Sequence, residues 1–268
     1  MTHYICATCG VQYPDSEHPP QHCPICEDDR QYIGHNGQQW TTLDTLLGNH
    51  HIVVKEVEPN LVGIGVEPRF AIGQRGLLIQ TDDGNVLWDC ITLIDDDTIE
   101  QVEALGGIDK IAISHPHYYS SMMEWSKAFD APVYIHEEDK EWVQRPSSMV
   151  TYWAGETLTL GDGLTLIHAP GHFDGAQVLH WRDGADGKGV LLTGDIINVV
   201  ADRRYVSFMY SYPNQIPLSA HAVRRIVNAV QPYDYDRIYS AWFGTVVKEN
   251  AQEAVRFSAQ RYIDAITG

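Results

Sequence analysis

Two C-x2-C pairs, Cys6-Ala-Thr-Cys9 and Cys23-Pro-Ile-Cys26, stand near the start of the chain with thirteen residues between them. One such pair wraps two thiolates around one side of a metal ion, and a second pair closes the tetrahedron. Further on, the apolar run Ile111-Ala-Ile-Ser leads into His115-Pro-His117. Two imidazoles at that spacing in an extended segment project to the same side, and imidazole is a common zinc ligand. Leu166-Ile-His-Ala ends in Pro170-Gly171-His172, and Val190-Leu-Leu-Thr ends in Gly194-Asp195. All three motifs follow strand-like runs, where loops carry chemistry. His115, His117, His172 and Asp195 thus each carry a side chain of a metal-binding type. Neutral imidazoles with a carboxylate suit Zn2+, and the two-histidine, one-carboxylate subset also suits non-haem iron.

Disulfides fit the four early cysteines poorly, because Met1-Thr-His-Tyr-Ile-Cys6 has no basic and apolar export signal. Gly10 and Pro24 place both pairs in turns, not at the helix starts that redox C-x2-C motifs use. The reading is a structural metal on Cys6, Cys9, Cys23 and Cys26. The knuckles Cys6-Ala-Thr-Cys9-Gly10-Val-Gln-Tyr13 and Cys23-Pro24-Ile-Cys26 resemble those of rubredoxins and zinc ribbons. That resemblance implies zinc first and iron as the alternative, since the same four sulfurs hold either. The fifth cysteine, Cys90, is expected to pack in a strand.

Positioning these donors falls to short β-runs with turn punctuation that begin near residue 50. The patterning predicts strands at 52–57, 61–66, 76–81, 85–90, 108–113 and 132–135, with helices at 96–105, 121–129 and 137–143. Strands at 156–160, 164–168, 177–181, 189–192 and 237–240 follow, with helices at 219–230 and 247–266. Gly34-His-Asn-Gly37 and Trp40-Thr-Thr read as a linker. The segment before it has too few apolar residues to fold without a metal. The expectation is an α/β (α+β) protein with a metal-binding segment at 1–40 and a larger domain at 41–268.

The order H-x-H, then P-G-H, then G-D, each after a strand, resembles the metallo-β-lactamase superfamily over roughly residues 50–268. Trp88-Asp89 stands where that family has an I-D-T-G-like turn. The resemblance implies a four-layer αββα sandwich and a hydrolytic metal centre. The family's H-x-H-x-D-H would put its next ligands at Tyr119 and Ser120, and its last histidine would fall at Trp242 or Phe243. None of these is a family ligand, so the second metal site is expected to be lost. One ion is expected on His115, His117, His172 and Asp195, loading independently of the cysteine site.

A single-metal hydrolase of small esters, thioesters, lactones or amides follows as the first expectation. Asp195 would hold and polarise the attacking water, and Tyr119 would donate its phenol to the oxyanion. The alternatives are a mononuclear iron redox enzyme resembling sulfur dioxygenases, and a non-catalytic metal-binding protein whose knuckle recruits a protein partner. Asp174 and Asp89 could orient imidazoles, although Asp174 reads better as a turn residue. His221 reads as a surface residue, Arg203 and Arg204 as partners of the acidic surface. Trp153, Phe208, Met209, Tyr210 and Tyr212 read as core or pocket lining. A net charge of −18 disfavours nucleic-acid partners. No run approaches the ~20 apolar residues of a membrane span. A cytoplasmic protein with a small-molecule substrate is the expectation.

Overall fold

The computed structural model describes residues 1–268. The chain divides into two units, Met1–Ile135 with Lys140–Tyr152, and His136–Asp139 with Trp153–Gly268. The fold is mixed α/β.

In the first unit, β1 (Thr2–Cys6), β2 (Gln12–Ser16) and β3 (Trp40–Thr41) form a small sheet with β1 in the centre. The residues read as a linker therefore supply a strand: Trp40 pairs with Cys6, and its ring meets Tyr13 edge-on at 4.9 Å. A single helical turn, α1 (Pro24–Glu27), carries Cys26, and α2 (Leu43–Leu47) follows β3. Pro24 does not break this turn but opens it, because a first helical position needs no N–H.

Strands β4 (His51–Glu58), β5 (Leu61–Glu67), β6 (Gly76–Ile79), β7 (Val86–Trp88), β8 (Lys110–Ala112), β9 (Val133–His136) and β10 (Val150–Trp153) pair in that order to form one sheet. Asn60, left-handed at φ 64°, closes the β4–β5 hairpin. The centre is parallel, β7 with β8 and β8 with β9. Its apolar runs are almost wholly buried, as parallel strands require. Helix α3 (Asp96–Ala104) is capped by Asp95, whose carboxylate accepts the Thr98 N–H at 2.8 Å. Helix α4 (Met122–Phe129) buries Met122, Met123 and Trp125, and the Trp125 indole donates to the Ile91 carbonyl.

In the second unit, β11 (Thr157–Gly161), β12 (Leu164–His168), β13 (Gln177–Trp181) and β14 (Val190–Gly194) run antiparallel to one another. The turn α5 (Gly184–Gly187) joins the last two. Two short hairpins follow, β15 (Asn198–Val199) with β16 (Val206–Ser207) and β17 (Met209–Ser211) with β18 (Ile216–Pro217). Helix α6 (Ala220–Val230) leads to β19 (Arg237–Ser240), which lies parallel to β14, and then to β20 (Val246–Val247) and α7 (Ala251–Thr267). Helices α6 and α7 pack on each other and on the sheet.

Three further expectations are corrected. Residues 137–142 form a 3-10 turn, not an α-helix. The last helix starts four residues late, because Val246–Val247 pairs with β19 and Asn250 turns left-handed at φ 57°. Cys90 is buried beyond the end of β7, where Asp89 at φ 60° has already left the strand.

Candidate metal centres

Cys6 ends β1 and Cys9 closes the turn after it, with Gly10 left-handed at φ 81°. Cys23 is the N-cap of α1 and Cys26 lies within it. All four thiols are buried, and none forms a disulfide. Cys6 Sγ lies 3.6 Å from Cys26 Sγ, and Cys9 Sγ lies 3.7 Å from Cys23 Sγ. A tetrahedron with metal–sulfur bonds of ~2.3 Å has edges of ~3.8 Å, so these separations fit a single ion. Hydrogen bonding from Cys23 holds the Cys6 thiol well below its ordinary pKa, while burial pushes that of Cys9 up. Four sulfurs this close cannot all be thiolates unless a cation sits among them. The Gln38 amide donates to Cys6 Sγ at 3.1 Å, a partner for sulfur that the motif did not reveal.

His115, His117, His172 and Asp195 form one buried group whose ligand atoms all lie within 4.8 Å of one another. His115 and His117 belong to the first unit, His172 and Asp195 to the second. His115 is the last extended residue after β8, at φ −171°, and Pro116–Tyr118 is a 3-10 turn. The two imidazoles are thus brought together, 5.1 Å apart at 75°, by a turn and not by an extended strand as expected. Asp89 Oδ1 accepts the Ser114 N–H at 2.7 Å and so ties the end of β7 to this turn. The Ser114 hydroxyl in turn lies 2.9 Å from His115 Nδ1.

His172 donates Nδ1–H to the Met209 carbonyl at 3.0 Å, which directs Nε2 to Asp195 Oδ1, 3.7 Å away. Asp195 follows Gly194, whose φ of 54° turns the chain sharply after β14. The half-buried Tyr212 donates its hydroxyl to the Asp195 carbonyl at 2.7 Å, and desolvation raises its pKa. Ser114, Met209 and Tyr212 were not legible as supports, since two of the three contacts end on main-chain carbonyls. Three imidazoles and one carboxylate leave a net charge of −1, which suits a divalent cation.

Tyr119, Ser120 and Trp242 are outside the donor group. The Ser120 hydroxyl receives the Gln74 amide at 2.9 Å, and Trp242 is held in a turn by Thr245. Tyr119 is buried and lines a small void with Val11, Gln12, Met122 and Met123, whereas the Tyr118 ring lies 4.4 Å from that of His115. The Asp174 carbonyl, not its carboxylate, accepts from His168 Nε2 at 2.7 Å, as a turn residue would. His221 is exposed on α6. Arg204 pairs with Asp202 at 2.7 Å, and Arg203 donates to the Val200 carbonyl. Trp153 donates to Gln177, and Phe208 is core.

A third cluster, His136, Glu138 and His168, escaped sequence reading. Its two imidazoles stack 3.8 Å apart at 12°. Parallel rings aim their lone pairs side by side, not at one point, and His168 Nε2–H is committed to the Asp174 carbonyl. The geometry is that of a packed pair. A cavity of about 780 Å³ is lined by Arg204, Lys248 and Phe257 and contains none of the metal-donor residues.

Residues 76–241 match the family profile of the metallo-beta-lactamase superfamily. The uncharacterized protein YmaE of Bacillus subtilis (strain 168) is 56% identical over 268 residues, covering 99% of this chain and 97% of that one. Among solved structures, the metallo-beta-lactamase FIM-1 from Pseudomonas aeruginosa in the mono-zinc form is similar with a TM-score of 0.60 at 14% identity. That match covers 81% of this chain and 97% of FIM-1. The DIM-1 metallo-beta-lactamase gives a TM-score of 0.60 at 16% identity, covering 80% and 98%. Motif order, fold and profile agree: this chain belongs to the metallo-beta-lactamase superfamily.

Proposed function

We propose that this chain is a metal-dependent hydrolase with one ion on His115, His117, His172 and Asp195, acting on a small ester, thioester, lactone or amide. The observation that carries the reading is the buried group of three imidazoles and a single carboxylate. Zinc is the proposed ion at both centres, and FIM-1, which shares the fold, has itself been solved in a mono-zinc form. Zinc bound there supplies a Lewis acid that activates water near neutral pH.

The chain's own residues do the rest. The imidazoles would hold the ion, with His115 oriented by the Ser114 hydroxyl and His172 by the Met209 carbonyl. Asp195 accepts a hydrogen bond from the attacking water and aligns it on the substrate carbonyl. A phenol of the H-x-H turn, Tyr119 as the motif implies or Tyr118, whose ring lies 4.4 Å from that of His115, would donate its O–H to the oxygen on which charge develops.

The test is metal analysis joined to an activity panel of activated esters, thioesters and lactones. Two zinc ions per chain, with activity lost in His172→Ala, is the expected result. Tyr119→Phe should lower kcat roughly 10²-fold with little change in KM and no loss of metal. A loss confined to Tyr118→Phe moves the phenol role to the ring that touches His115. Iron at the histidines, or zinc without activity on any panel member, overturns the hydrolase reading.

A further inference from the structure

Within the first unit the two metal motifs share a seam. The stretch that follows Cys9 runs past the loop that follows His117. The Gln12 N–H donates to the Ser120 carbonyl at 2.9 Å. Ser120 is left-handed at φ 45°, a conformation that a serine keeps only where its surroundings hold it. The Thr92 hydroxyl donates to the Gly10 carbonyl at 3.0 Å, and the Thr92 carbonyl accepts the Ser121 hydroxyl at 2.5 Å. Thr92 therefore grips the knuckle on one side and the histidine loop on the other. A Cβ on Gly10 would lie 2.5 Å from the Thr92 hydroxyl, so the approach is close enough to demand glycine.

Arg145 closes the seam at its other end. Its guanidinium donates to Gln12 Oε1 and to Glu124 Oε1 on α4, and it lies 3.2 Å from His3 Nε2. That one half-buried cation thus joins β1, β2 and the helix into which the histidine loop runs.

We propose that the cysteine knuckle is a positioning element for the H-x-H turn. Its metal fixes Gly10 and Gln12, these clamp Ser120 and Ser121, and the clamp sets where His115 and His117 point. The segment 1–40 buries only a handful of apolar side chains besides its cysteines, among them Ile5, Val11, Tyr13 and Ile25, so loss of an ion from the four sulfurs would loosen the clamp. The two centres are then coupled and not independent. By linkage, an ion at the histidines also strengthens binding at the cysteines. The inference rests on His115 and His117 being metal ligands, as proposed above.

Cobalt(II) titration of the metal-free full-length chain tests it, because thiolate and imidazole sites absorb differently. Hydrogen exchange of the cobalt-loaded protein is followed in parallel. Cys23→Ser should lose the thiolate bands and bind cobalt at the histidines about tenfold more weakly or worse. Arg145→Gln leaves all four thiolates in place and should keep those bands, yet weaken the histidine site in the same direction. Amides of 118–122 should exchange faster in both variants, with α3 unchanged. Wild-type histidine affinity and wild-type exchange at 118–122 in Arg145→Gln overturn the proposal, even where Cys23→Ser fails to fold. If the parent chain binds no cobalt at the histidines, the hydrolase reading fails. The exchange comparison then decides the clamp alone: faster exchange at 118–122 supports it, and unchanged exchange overturns it.

Discussion

A histidine can offer Nε2 to a metal only if Nδ1 keeps its proton, and the neighbours of Nδ1 decide that. For His172 the partner is the Met209 carbonyl, which can only accept, so the tautomer is fixed. For His115 the partner is the Ser114 hydroxyl, itself placed by the Asp89 carboxylate through the Ser114 N–H. Such partners commonly carry 10–100-fold in metal affinity. Ser114→Ala should therefore weaken metal binding at the histidine site by about that factor, while the cysteine site keeps its ion. Chelator competition measures this. Unchanged affinity would assign Ser114 to packing alone. Ser114 was visible only as the residue before the H-x-H, with nothing in its type to mark a role. Its role comes from Asp89, twenty-five residues earlier, across the parallel pair β7 and β8.

Strand ends explain which part of the centre was legible. His115, His172 and Asp195 each follow a strand, after a run of apolar residues that announces it, and proline or glycine marks the chain reversal next to each. Order along the chain then sufficed to bring them together. Contacts that end on main-chain atoms leave no such trace, so the Gln12–Ser120 bond and the Met209 carbonyl could not be read from residue types. His136 and His168 escaped for another reason: their rings stack although thirty-two residues separate them, and no local period records that. Helix starts were legible where a side chain caps them, as at Asp95 and Ser219. The start of α7 was not, since Asn250 turns the chain by its backbone and its side chain caps nothing. Asp95→Ala should accordingly cost about 1 kcal/mol in denaturant unfolding. Metal content should stay at the parent level, because α3 contributes no ligand. A loss of metal in that variant would mean that α3 also holds the site in place.

Across the whole molecule, acidity and buried histidines act on stability in different pH ranges. The chain carries 36 acidic against 18 basic residues, so it repels itself at neutral pH. That repulsion eases only as carboxylates gain protons, around pH ~4. No helix is long and apolar enough to cross a membrane. Burial lowers the pKa of His180, whose Nε2–H donates to the Asp234 carbonyl at 2.8 Å, and it lowers that of His136 as well. A histidine depressed in the folded state leaves the unfolded chain the stronger proton binder. Its contribution is full above the unfolded value of ~6.5 and is lost as pH falls through the folded value. Between pH 7.5 and 5.5 stability should therefore drop, before carboxylate protonation intervenes. Metal release in acid pushes the same way, so the measurement that isolates the histidine is a comparison at saturating zinc. His180→Gln keeps an N–H for the Asp234 carbonyl but cannot titrate. Its Tm should fall less over that range than the parent's. Parallel curves for the two proteins would show that the acid sensitivity lies elsewhere, and the metal ligands would then be the groups to examine.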